Sequence, residues 1–106
     1  MNKLRVGICG WGNVATGLFK TLQTNSVEIK KRSNLEIEII AIGARRDNPK
    51  CDPGNIFIER DIFKIIDHDI DVIVELIGGV DVARDLILKA LNAKKHVVTA
   101  NKAVIF

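Results

Sequence analysis

The run Val6-Gly7-Ile8-Cys9-Gly10-Trp11-Gly12-Asn13-Val14-Ala15-Thr16-Gly17 passes from apolar residues through glycines into a helical spacing. Leu4 to Cys9 reads as a short buried strand, and Val14, Leu18 and Leu22 recur as on one helix face. Between them stands the pattern Gly10-x-Gly12-x-x-Ala15. Strand, tight glycine turn and helix is the context in which such a pattern carries meaning. Gly10 permits the sharp turn out of the strand, and Gly12 lets a pyrophosphate approach the main chain. Ala15, an accepted third member, lets the helix pack closely on the strand. The N–H groups and positive dipole end of that helix would face the phosphates. A plain strand–turn–helix without a ligand is the competing reading.

Outward from this stretch, helix and strand patterns alternate. A first helix is expected over residues 13 to 32, with a break possible at Asn25-Ser26, and Ser33-Asn34 ends it. Leu35 to Gly43 starts in alternation and ends fully apolar, as a strand entering a buried parallel sheet does. Residues 44 to 55, with two prolines, a glycine, Asp47, Asn48 and Asp52, read as a loop. Ile56-Phe57-Ile58 fits either a short third strand or part of that loop. Asp61 reads as the cap of a short helix from Ile62 to Ile66. Residues 71 to 77 read as a central strand ended by Gly78-Gly79, and Asp81 as the cap of a helix running through Leu91. Residues 95 to 99 make the last strand. This alternation predicts a Rossmann-type, doubly wound parallel sheet in three α/β/α layers, with strand order 3-2-1-4-5.

The 106 residues suffice for one domain around one core. A composition of 47% hydrophobic and 27% charged residues is ordinary for a globular domain. The formal charge of +3 is mild and scattered outside Lys30-Lys31-Arg32, which reads as a solvated helix face. It suits a phosphate-bearing ligand and does not demand nucleic acid. Cys9 and Cys51 lie far apart, form no metal-type pair, and are expected as free thiols in a reducing cytoplasm. No signal peptide or membrane-length apolar run is read, so no membrane partner is expected. The apolar ending Val104-Ile105-Phe106 reads as an excised domain, residues 1 to 106, whose remainder would cover that end.

In an open α/β sheet, ligands bind beyond the carboxyl ends of the strands. Gly10 to Ala15, Gly43 to Asp47, Leu76 to Gly79 and Thr99 to Lys102 all fall there. At the end of the second strand, Arg45 and Arg46 precede Asp47. A guanidinium there can pair with a 2′-phosphate, which favours NADP, whereas a carboxylate on the ribose favours NAD. Two solvated arginines are the plainer alternative, and Asp47 leaves NAD open. Glu75, inside a buried strand, must be paired structurally or lie near the site. Lys102 taken alone reads as an exposed lysine, His68 as solvated and His96 as structural. Trp11 either covers the phosphate loop or meets a missing domain.

The segments Asp71-Val-Ile-Val-Glu-Leu-Ile-Gly-Gly79 and Leu86-Ile-Leu-Lys-Ala-Leu-Asn-Ala-Lys-Lys-His-Val-Val-Thr-Ala-Asn-Lys-Ala103 closely resemble homoserine dehydrogenase. The loop Gly10 to Gly17 is similar to that family's nucleotide loop, and the resemblance covers most of the chain. It implies NAD(P)H-dependent reduction of L-aspartate 4-semialdehyde to L-homoserine, in threonine and methionine biosynthesis. It further implies that Gly10, Trp11, Gly12, Asn13 and Val14 hold the pyrophosphate and that Arg45 and Arg46 hold the adenosine end. Gly78, Thr99 and Asn101 would line the nicotinamide pocket. Lys102 matches the lysine that contacts cofactor and substrate and serves in proton transfer. The family often has glycine where this chain has Ala15. Its second strand commonly ends in one arginine or another residue, so the tandem leaves the assignment between Arg45 and Arg46 open. The family's substrate domain has no counterpart here, so this piece is expected to bind cofactor without turnover. The full-length protein is expected to be a homodimer. A stand-alone NAD(P)-sensing module and a related aspartate or semialdehyde oxidoreductase are the alternatives.

Overall fold

The computed structural model describes residues 2–46, 48–49, 51–77 and 81–99. In chain order these form β1 (Asn2–Cys9), α1 (Asn13–Thr24), α2 (Ser26–Ser33), β2 (Leu35–Gly43) and β3 (Phe57–Glu59). A 3-10 helix (Ile62–Asp67), β4 (Val72–Glu75), α3 (Asp81–Asn92) and β5 (His96–Thr99) follow. The sheet has five strands in the order β3-β2-β1-β4-β5, and every pair is parallel. The expected strand order is therefore observed, with the chain reversing its direction of travel across the sheet between β1 and β4.

Each sheet face is covered by helix, because strands buried on both faces need two apolar layers. On one face Val6, Ile8 and Ile42 pack with Trp11, Ala15 and Phe19. On the other, Cys9, Ala41 and Ile73 pack with Ile65 of the 3-10 helix and Leu86 and Ala90 of α3. The β1–β2 register slips once: Val6 faces Ile39, but Gly7 faces Ala41, so Ile40 is an extra residue. Ile40 and Ala41 both serve the α3 face, as a bulge requires. Opposite them Gly7 is under pressure, since a β-carbon there would meet Ile70 Cδ1 at 3.0 Å. Beyond the bulge the five strands come into one row, Glu59–Gly43–Cys9–Glu75–Thr99.

Several boundaries differ from expectation for identifiable reasons. The first helix breaks at Asn25, as foreseen at Asn25-Ser26, and Asn34 ends α2 in the left-handed region at φ 54°. Asp61 caps its helix through a bond from Phe63 N–H at 3.1 Å, but that helix is 3-10 in form. Asp81 is the first residue of α3 and not its cap; a carboxylate in the first turn complements the dipole. β4 is shorter than residues 71 to 77, because the Ile77 N–H turns to the Glu75 side chain at 2.8 Å. Lys95 stays out of β5 because its N–H bonds the Ala90 carbonyl at 2.9 Å. His68 is not solvated: its Nε2 lies 3.1 Å from Glu59 Oε2 and its ring leans on Phe57. His96 opens β5 as expected, donating its N–H to the Asp71 carbonyl. Both cysteines are free and buried.

Candidate functional site

The two glycines of the loop are held there by different demands. Gly10 sits at φ +101°, and a β-carbon on it would lie 2.8 Å from the Leu76 carbonyl oxygen. The fold itself requires glycine at that position. Its N–H bonds Gly43 O at 2.8 Å, and Leu76 N–H bonds Cys9 O at 2.9 Å, so the turn is stitched to both neighbouring strands. Gly12 differs, because a β-carbon there would meet nothing within 4 Å. No neighbour in the described chain excludes a side chain from Gly12.

Gly12 is also the N-cap of α1, and lacking a side chain it makes no capping bond; no acidic residue stands in the first turn. The N–H groups of that turn therefore have no side-chain acceptor in the cap position, an arrangement suited to an anion. A phosphate chain fits both observations, filling the space over Gly12 and satisfying the helix end. Ala15, 1% exposed, lets α1 lie close on the sheet.

Around this loop opens a cleft of about 390 Å³. It is lined by Gly10, Trp11 and Gly12, by Gly43 to Arg46, and by Ile62, Leu76 and Ile77. Arg45 and Arg46 are exposed at its rim, and among the described residues no carboxylate forms an ion pair with either. Trp11 lines the cleft, but the residue is 8% exposed and its indole meets Phe19 edge-on at 5.2 Å. It packs into the core cluster on the α1 face of the sheet. Its carbonyl accepts from Asn48 Nδ2 at 3.1 Å, tying the loop after β2 to the glycine turn. Asn13 and Val14 begin α1 beside the cleft, exposed, outside its lining. Thr99 ends β5 and donates its hydroxyl to Glu75 Oε2. Gly78, Asn101, Lys102 and Asp47 lie outside the described residues.

Ile62 is a lining residue that the sequence did not single out. It opens the 3-10 helix, and only the Asp61 cap hinted that the chain turns there. Behind the lining, burial pushes the Cys9 thiol up to about 12, with the Glu75 charge adding to the shift. Cys9 is therefore a neutral filler and not a nucleophile. Among the described residues no His, Cys, Asp and Glu group could hold a metal ion, and no helix is long and apolar enough to cross a membrane.

A parallel sheet with a glycine turn and an open helix end at its reversal point defines a doubly wound nucleotide-binding domain. Comparison with known proteins narrows the class. Residues 10–106 match the family model described as homoserine dehydrogenase, NAD binding domain. The chain is 52% identical to homoserine dehydrogenase of Pseudomonas aeruginosa over 106 residues, covering 99% of this chain and 24% of that protein. It is 43% identical to the Methylobacillus glycogenes homoserine dehydrogenase, covering 99% of this chain and 26% of the relative. A crystal structure of a homoserine dehydrogenase from Thiobacillus denitrificans superposes with a TM-score of 0.88 at 36% identity, over 98% of this chain and 25% of that one. The chain belongs to the homoserine dehydrogenase NAD-binding domain family. It spans about a quarter of the length of the relatives it matches.

Proposed function

We propose that this domain seats the nicotinamide dinucleotide of a homoserine dehydrogenase, which reduces L-aspartate 4-semialdehyde to L-homoserine with NADPH preferred over NADH. The contrast between Gly10 and Gly12 carries this reading. One glycine answers to the chain's own packing, and the other keeps open a space over an uncapped helix end. The pyrophosphate belongs in that space, held by the first-turn N–H groups of α1. Arg45 and Arg46 reach the adenosine end from the rim of the cleft, where a 2′-phosphate pairs with a guanidinium. When bound, the nicotinamide supplies hydride to the aldehyde carbon. The chain's part there is Lys102, whose ammonium would stabilise and protonate the alkoxide oxygen. Gly78 and Asn101 would line the nicotinamide side with Thr99. Further substrate contacts would come from the part of its relatives that this chain does not span.

The direct test is titration of the chain with NADPH and with NADH. Trp11, the single tryptophan, reports from the edge of the cleft. Saturable quenching of its emission by both dinucleotides, tighter for NADPH, is the expected result. Binding of neither removes the reading, and equal binding removes the NADPH preference alone.

A further inference from the structure

Glu75 is 0% exposed at the carboxyl end of β4, and both of its oxygens are engaged. Oε1 accepts from the Ile77 N–H at 2.8 Å, and Oε2 accepts from the Thr99 hydroxyl. Ile77 lines the cleft, and Thr99 closes the neighbouring strand β5. The ladder itself does not call for this side chain, since Glu75 already pairs by main chain between Cys9 and Thr99. An apolar residue would fill the site without the desolvation cost of a buried carboxylate. That cost is offset only by the two hydrogen bonds the carboxylate accepts, from Ile77 and Thr99.

What the carboxylate does is geometric. It draws the Ile77 amide inward, so the chain leaves the sheet after Leu76, whose N–H still bonds Cys9 O, and it holds the Thr99 side chain in one orientation. Both partners lie on the β4–β5 side of the glycine turn, across from the arginines after β2. A dinucleotide with its phosphates at α1 and its adenosine end at Arg45 and Arg46 extends its other half over that side. On the reading that the cleft takes such a cofactor, we propose that Glu75 is a positioning residue for the nicotinamide half. It stays behind the cleft and fixes the Ile77 main chain and the Thr99 hydroxyl against which the ring seats.

The test compares NADH with ADP-ribose, the same ligand without the nicotinamide ring, on the wild-type chain, Glu75→Leu and Glu75→Asp. Leucine fills the space but accepts from neither the amide nor the hydroxyl. Aspartate keeps the charge but is one methylene too short to hold both partners. Each variant is expected to lose about tenfold in NADH affinity, with ADP-ribose affinity held within about twofold. A parallel loss for both ligands makes Glu75 merely structural, and no loss for either leaves it without this role; both results overturn the proposal. If Glu75→Leu does not fold, as judged by circular dichroism, Glu75→Asp decides alone. If the wild-type chain binds neither ligand, the cofactor reading falls first and this inference with it.

Discussion

Gly10 faces the carbonyl of Leu76 so closely that one added carbon would sit 2.8 Å from its oxygen. The contact joins the turn after β1 to the end of β4, and backbone on the Leu76 side has little room to yield. Gly10→Ala should therefore destabilise the domain by roughly 2–4 kcal/mol, from left-handed strain plus the clash. Gly12→Ala should leave stability within about 0.5 kcal/mol and weaken dinucleotide binding. Urea melts and NADPH titrations of the two variants check the contrast. Equal stability loss in both would contradict it.

Cofactor choice is expected to reside at Arg45 and Arg46. A guanidinium on a 2′-phosphate contributes about 1.5–3 kcal/mol as a charge-assisted hydrogen bond. Replacing both by alanine should erase the NADPH-over-NADH preference with little change in NADH affinity. The single variants then assign the phosphate to one arginine or divide it. An unchanged ratio in the double variant would place the phosphate contact elsewhere.

The buried Cys9 thiol makes stability fall at alkaline pH. Its proton is held to about 12 in the folded chain, against an ordinary 9.0. The folded pKa is the higher one, so the unfolded chain loses this proton first. The contribution is complete below pH 9 and is lost as pH rises toward 12. The slope from this one group is at most about 1.4 kcal/mol per pH unit. Chemical denaturation at pH 8 and pH 10 should show the loss, and Cys9→Ala should reduce it. Native Cys9 should also resist alkylation at pH 8. Rapid labelling of the folded protein there would contradict its burial.

Lys102 is tested in a homoserine dehydrogenase of full family length that carries this domain. If its ammonium protonates the alkoxide, Lys102→Ala lowers turnover by about 100- to 10,000-fold. A variant that keeps turnover within a few-fold and raises only the Michaelis constant for cofactor would make Lys102 a binding residue.

The order of the strands was legible because hydrophobic runs and glycine turns report it directly. β2 was read at its observed limits, Leu35 to Gly43. Its shift from alternation to a continuous apolar run now has a cause, because the bulge places Ile40 and Ala41 on the same face. The glycine loop was read correctly as a turn at the carboxyl end of β1, while the separate reasons for Gly10 and Gly12 needed coordinates. Side-chain partners that close over long separations were not legible. His68 meets Glu59 and Phe57 because the 3-10 helix returns to the sheet edge, and Trp11 finds Phe19 across one face of α1. No local pattern announces either contact.

The extra residue in β2 is absorbed where it occurs. Without Ile40, Ile39 and Ala41 would stand next to each other opposite Val6 and Gly7, and every other β1–β2 partner would stay as it is. Ile39 and Ala41 already face opposite sides of the sheet, so alternation would run on unbroken into Ile42 and Gly43. The rim after β2 is thereby insulated from the insertion. A residue-by-residue alignment of this strand with one of ordinary register has to skip one position at the bulge, or every rim residue after it is assigned to the wrong neighbour.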